Sequence, residues 1–114
     1  MTAHPDPAAG RPVALPTAWN ILHQAISQRR AIRARYHDHQ RVLCPHALGW
    51  KNGRPKVLAY QTAILDHTST TDSSGWRSMF VDEIENPLIT GDQWQSADNY
   101  TPHTTGIDTL AAAI

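Results

Sequence analysis

Arg77 is the only basic residue between positions 61 and 114, where it stands among eight acidic residues. An arginine in that setting either closes structural ion pairs or presents its forked N–H donors to a phosphate. Arg41, on what the apolar pattern marks as a neighbouring strand, would supply a second fork. Tyr36, Tyr60 and Trp76 add aromatic faces, and two forks beside stacking faces would suit a nucleotide. The competing reading makes Arg77 an ion-pair donor and both tyrosines plain core with hydroxyl groups at the rim.

Other chemistry-bearing residues form weaker sets. His37/His39 and Cys44/His46 are i, i+2 pairs that point the same way in extended chain, and zinc accepts imidazole and thiolate. Their spacing matches no known finger, and Pro45 disturbs the second pair, so no metal site is expected. Ser73-Ser74-Gly75 and Cys44-Pro45-His46 lack the setting of an activated nucleophile. Asp82, Glu83 and Glu85 read as strand-end ion-pair partners, and there is neither a Walker loop nor a glycine-rich dinucleotide turn. The sequence predicts no enzyme and no cofactor. Arg29, Arg30, Arg33 and Arg35 either track a phosphate backbone or form a solvated helix end and strand face.

The elements that must position these residues follow from periodicity. The chain has 114 residues and a mass of 12.7 kDa, which points to one domain with a modest core. Residues 1–16 hold four prolines and no apolar period, and read as a disordered arm. Thr17 is the expected N-cap of a helix over 17–30, with Ala18, Ile21, Leu22, Ala25 and Ile26 on one face. The period then falls to two. Ile32, Ala34 and Tyr36 mark a first strand, Asp38-His39 a turn, and Arg41 to Cys44 a second strand that Pro45 interrupts or places at an edge. Asn52-Gly53 is a strong hairpin signal before a third strand over Lys56–Leu65. A polar loop over 67–75 precedes a fourth strand, Trp76–Ile84, which Asn86-Pro87 ends. Residues 91–114 form a weakly patterned tail, in which the aromatics Trp94 and Tyr100 either dock a partner or fold back over an open sheet edge.

One helix and four or five short antiparallel strands imply an α+β domain over 17–90, a small closed or partly closed β-barrel covered by its N-terminal helix. The formal charge is zero, yet it divides sharply: residues 1–60 carry nine Lys/Arg against two acids, and residues 61–114 one against eight. Either the two halves face each other in the fold or the molecule has electrostatic poles. No apolar run is long enough to cross a bilayer and no signal pattern opens the chain, so the expected location is the cytoplasm, away from membranes. The single cysteine, Cys44, agrees with a reducing compartment.

The order of these pieces resembles the WYL domains, Sm-like/SH3-like antiparallel barrels of bacterial transcription and defence regulators. The resemblance rests on Ala25-Ile26 of the helix, Ala34-Arg35-Tyr36, Arg41-Val-Leu-Cys-Pro45-His-Ala-Leu48, Val57-Leu-Ala-Tyr60 and Trp76-Arg77-Ser-Met-Phe-Val-Asp82-Glu-Ile84, and spans roughly residues 20–86. The Trp-Tyr-Leu triplet falls at Pro55-Lys56-Val57, and Glu83 stands where the family carries its second arginine. No helix-turn-helix pattern precedes the module, so operator binding does not carry over. A protein partner would have to supply it. The resemblance implies a non-enzymatic ligand-sensing module that binds a small anionic ligand, a nucleotide or nucleic-acid fragment, at Tyr36, Arg41, Tyr60 and Arg77. Two other functions fit the residues: direct binding of single-stranded nucleic acid, and a structural adaptor acting through its tail. The oligomeric state is open, with a homodimer among the options.

Overall fold

The apolar face of the first segment sets the architecture. In the computed structural model, which describes residues 15–66, 74–97 and 106–114, helix α1 (Leu15–Gln28) buries Ala18, Leu22, Ala25 and Ile26. Thr17 lies inside the helix and is not its N-cap. Pro16 sits in the first turn, where a missing N–H costs no hydrogen bond. The helix also stops earlier than expected. Arg29 turns left-handed (φ 51°), its N–H donates to the Ile26 carbonyl (3.2 Å), and the Arg30 N–H donates to the Ala25 carbonyl (2.8 Å). That pair of bonds is a Schellman cap, built here without the usual glycine.

Strand β1 (Ile32–Tyr36) alternates as its sequence requires, with Ile32, Ala34 and Tyr36 buried. The turn to β2 (His39–Lys51) is His37-Asp38, both at positive φ, one residue earlier than the pattern suggests. Asn52 and Gly53, also both at positive φ, make the tight turn from β2 to β3 (Arg54–Ile64), with Lys51 opposite Arg54. Pro45 does not break β2. The pairing with β1 ends at Leu43, and the pairing with β6 (Thr109–Ala113) begins at Ala47. The missing proline N–H therefore falls between the two partners on that side.

The expected fourth strand, Trp76–Ile84, stops at Phe80. Strand β4 (Gly75–Phe80) pairs with β3, and a 3-10 turn over Val81–Glu83 leads into β5 (Glu85–Ile89), which pairs with β1. Asn86 (φ 50°) and Pro87 lie within β5 and do not end a strand, and the β1–β5 register shifts between Arg33 and Arg35. The closing residues, weak in pattern, form β6, which pairs with β2 on the β1 side beyond the end of β1.

The result is an α+β fold: one helix on a six-stranded antiparallel sheet of order β4-β3-β2-β1-β5, with β6 beside β2. Among the described residues no pairing joins β4 to β5, so the sheet is not a closed barrel. The main core lies between α1 and the sheet, where Leu22, Ile26, Ile32, Leu43, Leu48, Val57, Met79 and Ile84 pack. A smaller cluster of Ala31, Val42 and Cys44 occupies the other face, with Tyr60, Ala63 and Trp94 against it. Residues 1–14 of the expected arm, 67–73 of the expected polar loop and 98–105 of the tail lie outside the described residues. No described helix is long and apolar enough to cross a membrane.

Candidate functional site

Register assigns each expected site residue to a face. Tyr36 shares the buried face of β1 with Ile32 and Ala34. Arg41, opposite Ala34, projects to that same face. On β3 this face carries Val57, Ala59 and Gln61, and on β4 it carries Arg77, opposite Ala59, and Met79, opposite Val57. Tyr36, Arg41 and Arg77 thus lie on one side of the sheet, with Tyr36 itself part of the core under α1. Tyr60 does not join them. As the neighbour of Gln61 on an extended strand it points to the opposite face, where its ring meets Trp76 edge-on at 5.3 Å. Nor are Arg41 and Arg77 on adjacent strands, since β3 runs between β2 and β4.

Gln61 lies on β3, between the strands that carry the two arginines. It is fully buried, and its Oε1 accepts from Nη1 of Arg41 at 3.0 Å. Its partner on β4 is Gly75. A Cβ on Gly75 would lie 2.9 Å from Nη1 of Arg77, so the Arg77 guanidinium folds back over this glycine. There Nη1 of Arg77 also donates to the Trp76 carbonyl (3.0 Å). Nε of Arg41 donates to the Tyr36 carbonyl (3.0 Å), and its guanidinium carbon lies 5.5 Å from the centre of the Tyr36 ring. Both hydrogen-bond acceptors of Arg41 are neutral oxygens. Burial lowers its pKa and the positive charge of Arg77 lowers it further, while the negative charge of Asp66 acts in the opposite sense. Two like charges share one neighbourhood.

Glu83, at the end of the 3-10 turn, is already engaged. Nη2 of Arg54 donates to its Oε2 at 2.8 Å, and Nε2 of His37 lies 2.7 Å from its Oε1. These bonds, with the longer one from the Tyr36 hydroxyl (3.3 Å), hold the Glu83 carboxyl below its ordinary range. Burial, followed by the negative charge of Glu83, raises the pKa of Tyr36. The Tyr36 hydroxyl accepts from the Phe80 N–H as well (3.4 Å), and the His37 ring stacks on the Tyr36 ring at 3.9 Å.

The arginine run is occupied differently. Arg33 makes a bidentate pair with Asp92 (both bonds 2.9 Å), and Arg35 lies 3.7 Å from Asp66 and 3.8 Å from Asp38. Arg30 donates to the Thr90 carbonyl at 3.3 Å. The paired imidazoles of the metal reading also separate: His37 goes to Glu83 and His39 to Asp66. No group of three or more His, Cys, Asp or Glu that could hold a metal occurs among the described residues. An apolar cleft of about 240 Å³, lined by Leu15, Pro16, Trp19 and Trp50, opens at the far end of β2 from Arg41.

Sequence reasoning missed Gln61 and Gly75. Gln61 had a signal, because it continues the inward series Val57, Ala59 and is the one polar member. Compared with protein-family profiles, with curated proteins and with solved structures, the chain matches none.

Proposed function

We propose that the chain is a non-enzymatic ligand-sensing module of the WYL type, built on an open Sm-like/SH3-like barrel. In this reading a small phosphorylated ligand, a nucleotide or a short nucleic-acid fragment, binds at Arg41 and Arg77 beside Tyr36 and Gln61. The observation that carries it is the pair of guanidinium groups gathered on one face, with Arg41 held by neutral oxygens and disfavoured by the charge of Arg77. A dianion between two like charges relieves their repulsion and accepts from both forks. Gln61 and the Tyr36 carbonyl orient Arg41, and Gly75 leaves room for the Arg77 guanidinium to lie across the strand. Since Arg54 and His37 engage Glu83, its charge bears less heavily on an incoming anion.

Two observations speak against the other functions. A protein that tracks single strands needs arginines open to phosphate, and Arg33 and Arg35 face the chain's own carboxylates. An adaptor acting through its tail needs that tail presented outward, and Gln93–Ser96 packs on the sheet.

Titration of the full chain with a nucleoside monophosphate and with an oligonucleotide, each at two salt concentrations, tests the reading. The mononucleotide should bind, and Arg77→Ala should weaken it by roughly tenfold or more, the worth of a charge-assisted hydrogen bond. Arg30→Ala should leave it unchanged. Oligonucleotide binding that weakens steeply with salt and is reduced equally by both variants would establish the phosphate-tracking function instead.

A further inference from the structure

On the face turned away from α1, the β2–β3 register shifts between Pro45 and Ala47, leaving His46 as the extra residue of a bulge. Bulges re-aim side chains, and this one directs a buried imidazole across the sheet toward the segment after β5. His46 Nδ1 lies 2.7 Å from the Cys44 carbonyl oxygen, and Nε2 lies 2.7 Å from Oγ of Ser96. A carbonyl oxygen only accepts, so Nδ1 carries the proton and Nε2 offers its lone pair to the Ser96 hydroxyl. Trp94 stacks on the imidazole at 4.7 Å and Trp76 meets it edge-on at 4.8 Å, which fixes the ring plane. The segment bearing Ser96 is itself pinned. The Gln95 N–H donates to the Cys44 sulfur (3.3 Å), and the Cys44 thiol lies 3.9 Å from the Gln93 carbonyl it donates to. Ser96 is exposed while its base is buried.

A hydroxyl bonded to a neutral imidazole, which is oriented in turn by a third group, is the arrangement that activates a serine. We propose that Ser96 is a nucleophile, with His46 as its base and the Cys44 carbonyl as the group that orients the base, and that it takes the acyl group of small activated esters. Ser96 Oγ bonds to the ester carbonyl carbon, and its proton passes to His46 Nε2. The bond from that carbon to the leaving oxygen then breaks, and the leaving alkoxide takes the proton from Nε2. The products are acylated Ser96, a free alcohol and neutral His46. Burial makes the transient imidazolium costly, and the positive charge of Arg29 adds to the cost. The Cys44 carbonyl and the π face of Trp94 act in the opposite sense. This site goes beyond the ligand-sensing reading and is independent of it, because it occupies the other face of the sheet.

The test treats the full chain with 4-nitrophenyl acetate and follows both phenolate release and the acetylated position by peptide mass spectrometry. Acetylation at Ser96 should run roughly a hundredfold faster than at Ser27 or the exposed Ser78, the contribution expected of a positioned general base. Ser96→Ala, an exposed substitution, should remove the fast phase with the circular dichroism spectrum unchanged. His46→Gln should bring Ser96 to the rate of the control serines. If that variant does not fold, the pH profile of the wild type decides. The rate should follow deprotonation of His46, with a midpoint below the ordinary 6.5 and a plateau at neutral pH. Equal rates at the three serines, acetyl groups on Cys44 or His46 in place of Ser96, or a rate that climbs with hydroxide and never levels would each overturn the proposal.

Discussion

Arg41 and His46 are both charged or chargeable groups that the fold has partly withdrawn from water, and they resolve this in different ways. Arg41 stays charged and is held by two neutral oxygens, which leaves it suited to an anion. His46 can shed its proton, and burial drives it to do so. Its folded pKa lies below the 6.5 of an unperturbed imidazole, so the unfolded chain binds the extra proton first. Stability from this residue is therefore complete above about pH 6.5 and declines as pH falls from there toward the folded value. Thermal unfolding of the wild type should show a Tm lower by on the order of a few °C at about pH 5 than at about pH 7, and His46→Gln should lack that step. An unchanged Tm across the window would mean the imidazole is accessible to protons in the folded chain. At this scale the sequence was half legible. Alternation put Tyr36 with Ile32 and Ala34, and Arg77 with Met79, on the core-facing side of their strands. That Tyr60 faces away from them could not be read in the same way, because two register shifts in the β2–β3 pairing decide which residues share a side.

Strands and turns were legible where local chemistry specifies them. Asn52-Gly53 supports left-handed φ at both positions, and the hairpin forms where the pattern puts it. His37-Asp38 makes the same kind of turn from less typical residues, and Arg29 caps α1 in a position glycine usually fills. Both features are set by the tertiary packing of what precedes and follows. Pro87 reads as a terminator, yet it is accommodated within β5, which lies at one end of the strand order. Strand β6, whose sequence is Thr-Leu-Ala-Ala-Ala, has little intrinsic strand preference and exists because β2 offers a free side at Ala47–Trp50. Gly49 makes that pairing possible. A Cβ there would run into the Thr109 carbonyl oxygen and would lie 2.6 Å from Cγ2 of Ile107. Most of the obstruction is backbone, so a side-chain rotation cannot clear it. Gly49→Ala should cost about 1–3 kcal/mol in chemical denaturation, the usual range for an overpacked site. It should also speed amide exchange at Leu110 and Ala112. Gly91→Ala, where nothing lies within 4 Å of the added carbon, should change stability by no more than about 0.5 kcal/mol.

Over the whole molecule, the basic first half and acidic second half of the sequence meet each other. Arg33 pairs with Asp92, Arg35 with Asp66, Lys51 with Asp108, and Arg54 with both Asp82 and Glu83, so every one of these bridges joins the two halves. The charge split was plain in the sequence. Its meaning was not, because pairing across the midpoint depends on β1 and β3 lying beside the later strands. Each bridge is solvent-exposed and is worth little alone. Together they predict how the fold responds to acid. Hydrogen bonds and charge from Arg33, with the Thr90 hydroxyl, hold Asp92 down to about 2 from an ordinary 3.8. Asp66, Glu83 and Asp108 are lowered as well, chiefly by hydrogen bonds from the Gln40 backbone, His37 and the Asn52 N–H respectively. A carboxylate whose folded pKa is depressed adds stability above its unfolded value and loses it as pH falls through the folded one. The urea midpoint should therefore fall a second time below about pH 4, separate from the His46 step, and continue falling to about pH 2. Added salt should shrink this lower step, because exposed pairs are screened. Asp92→Asn should reduce it further while leaving the His46 step in place. A single acid transition, insensitive to salt and to Asp92→Asn, would mean that the meeting of the two halves contributes nothing to holding the sheet together.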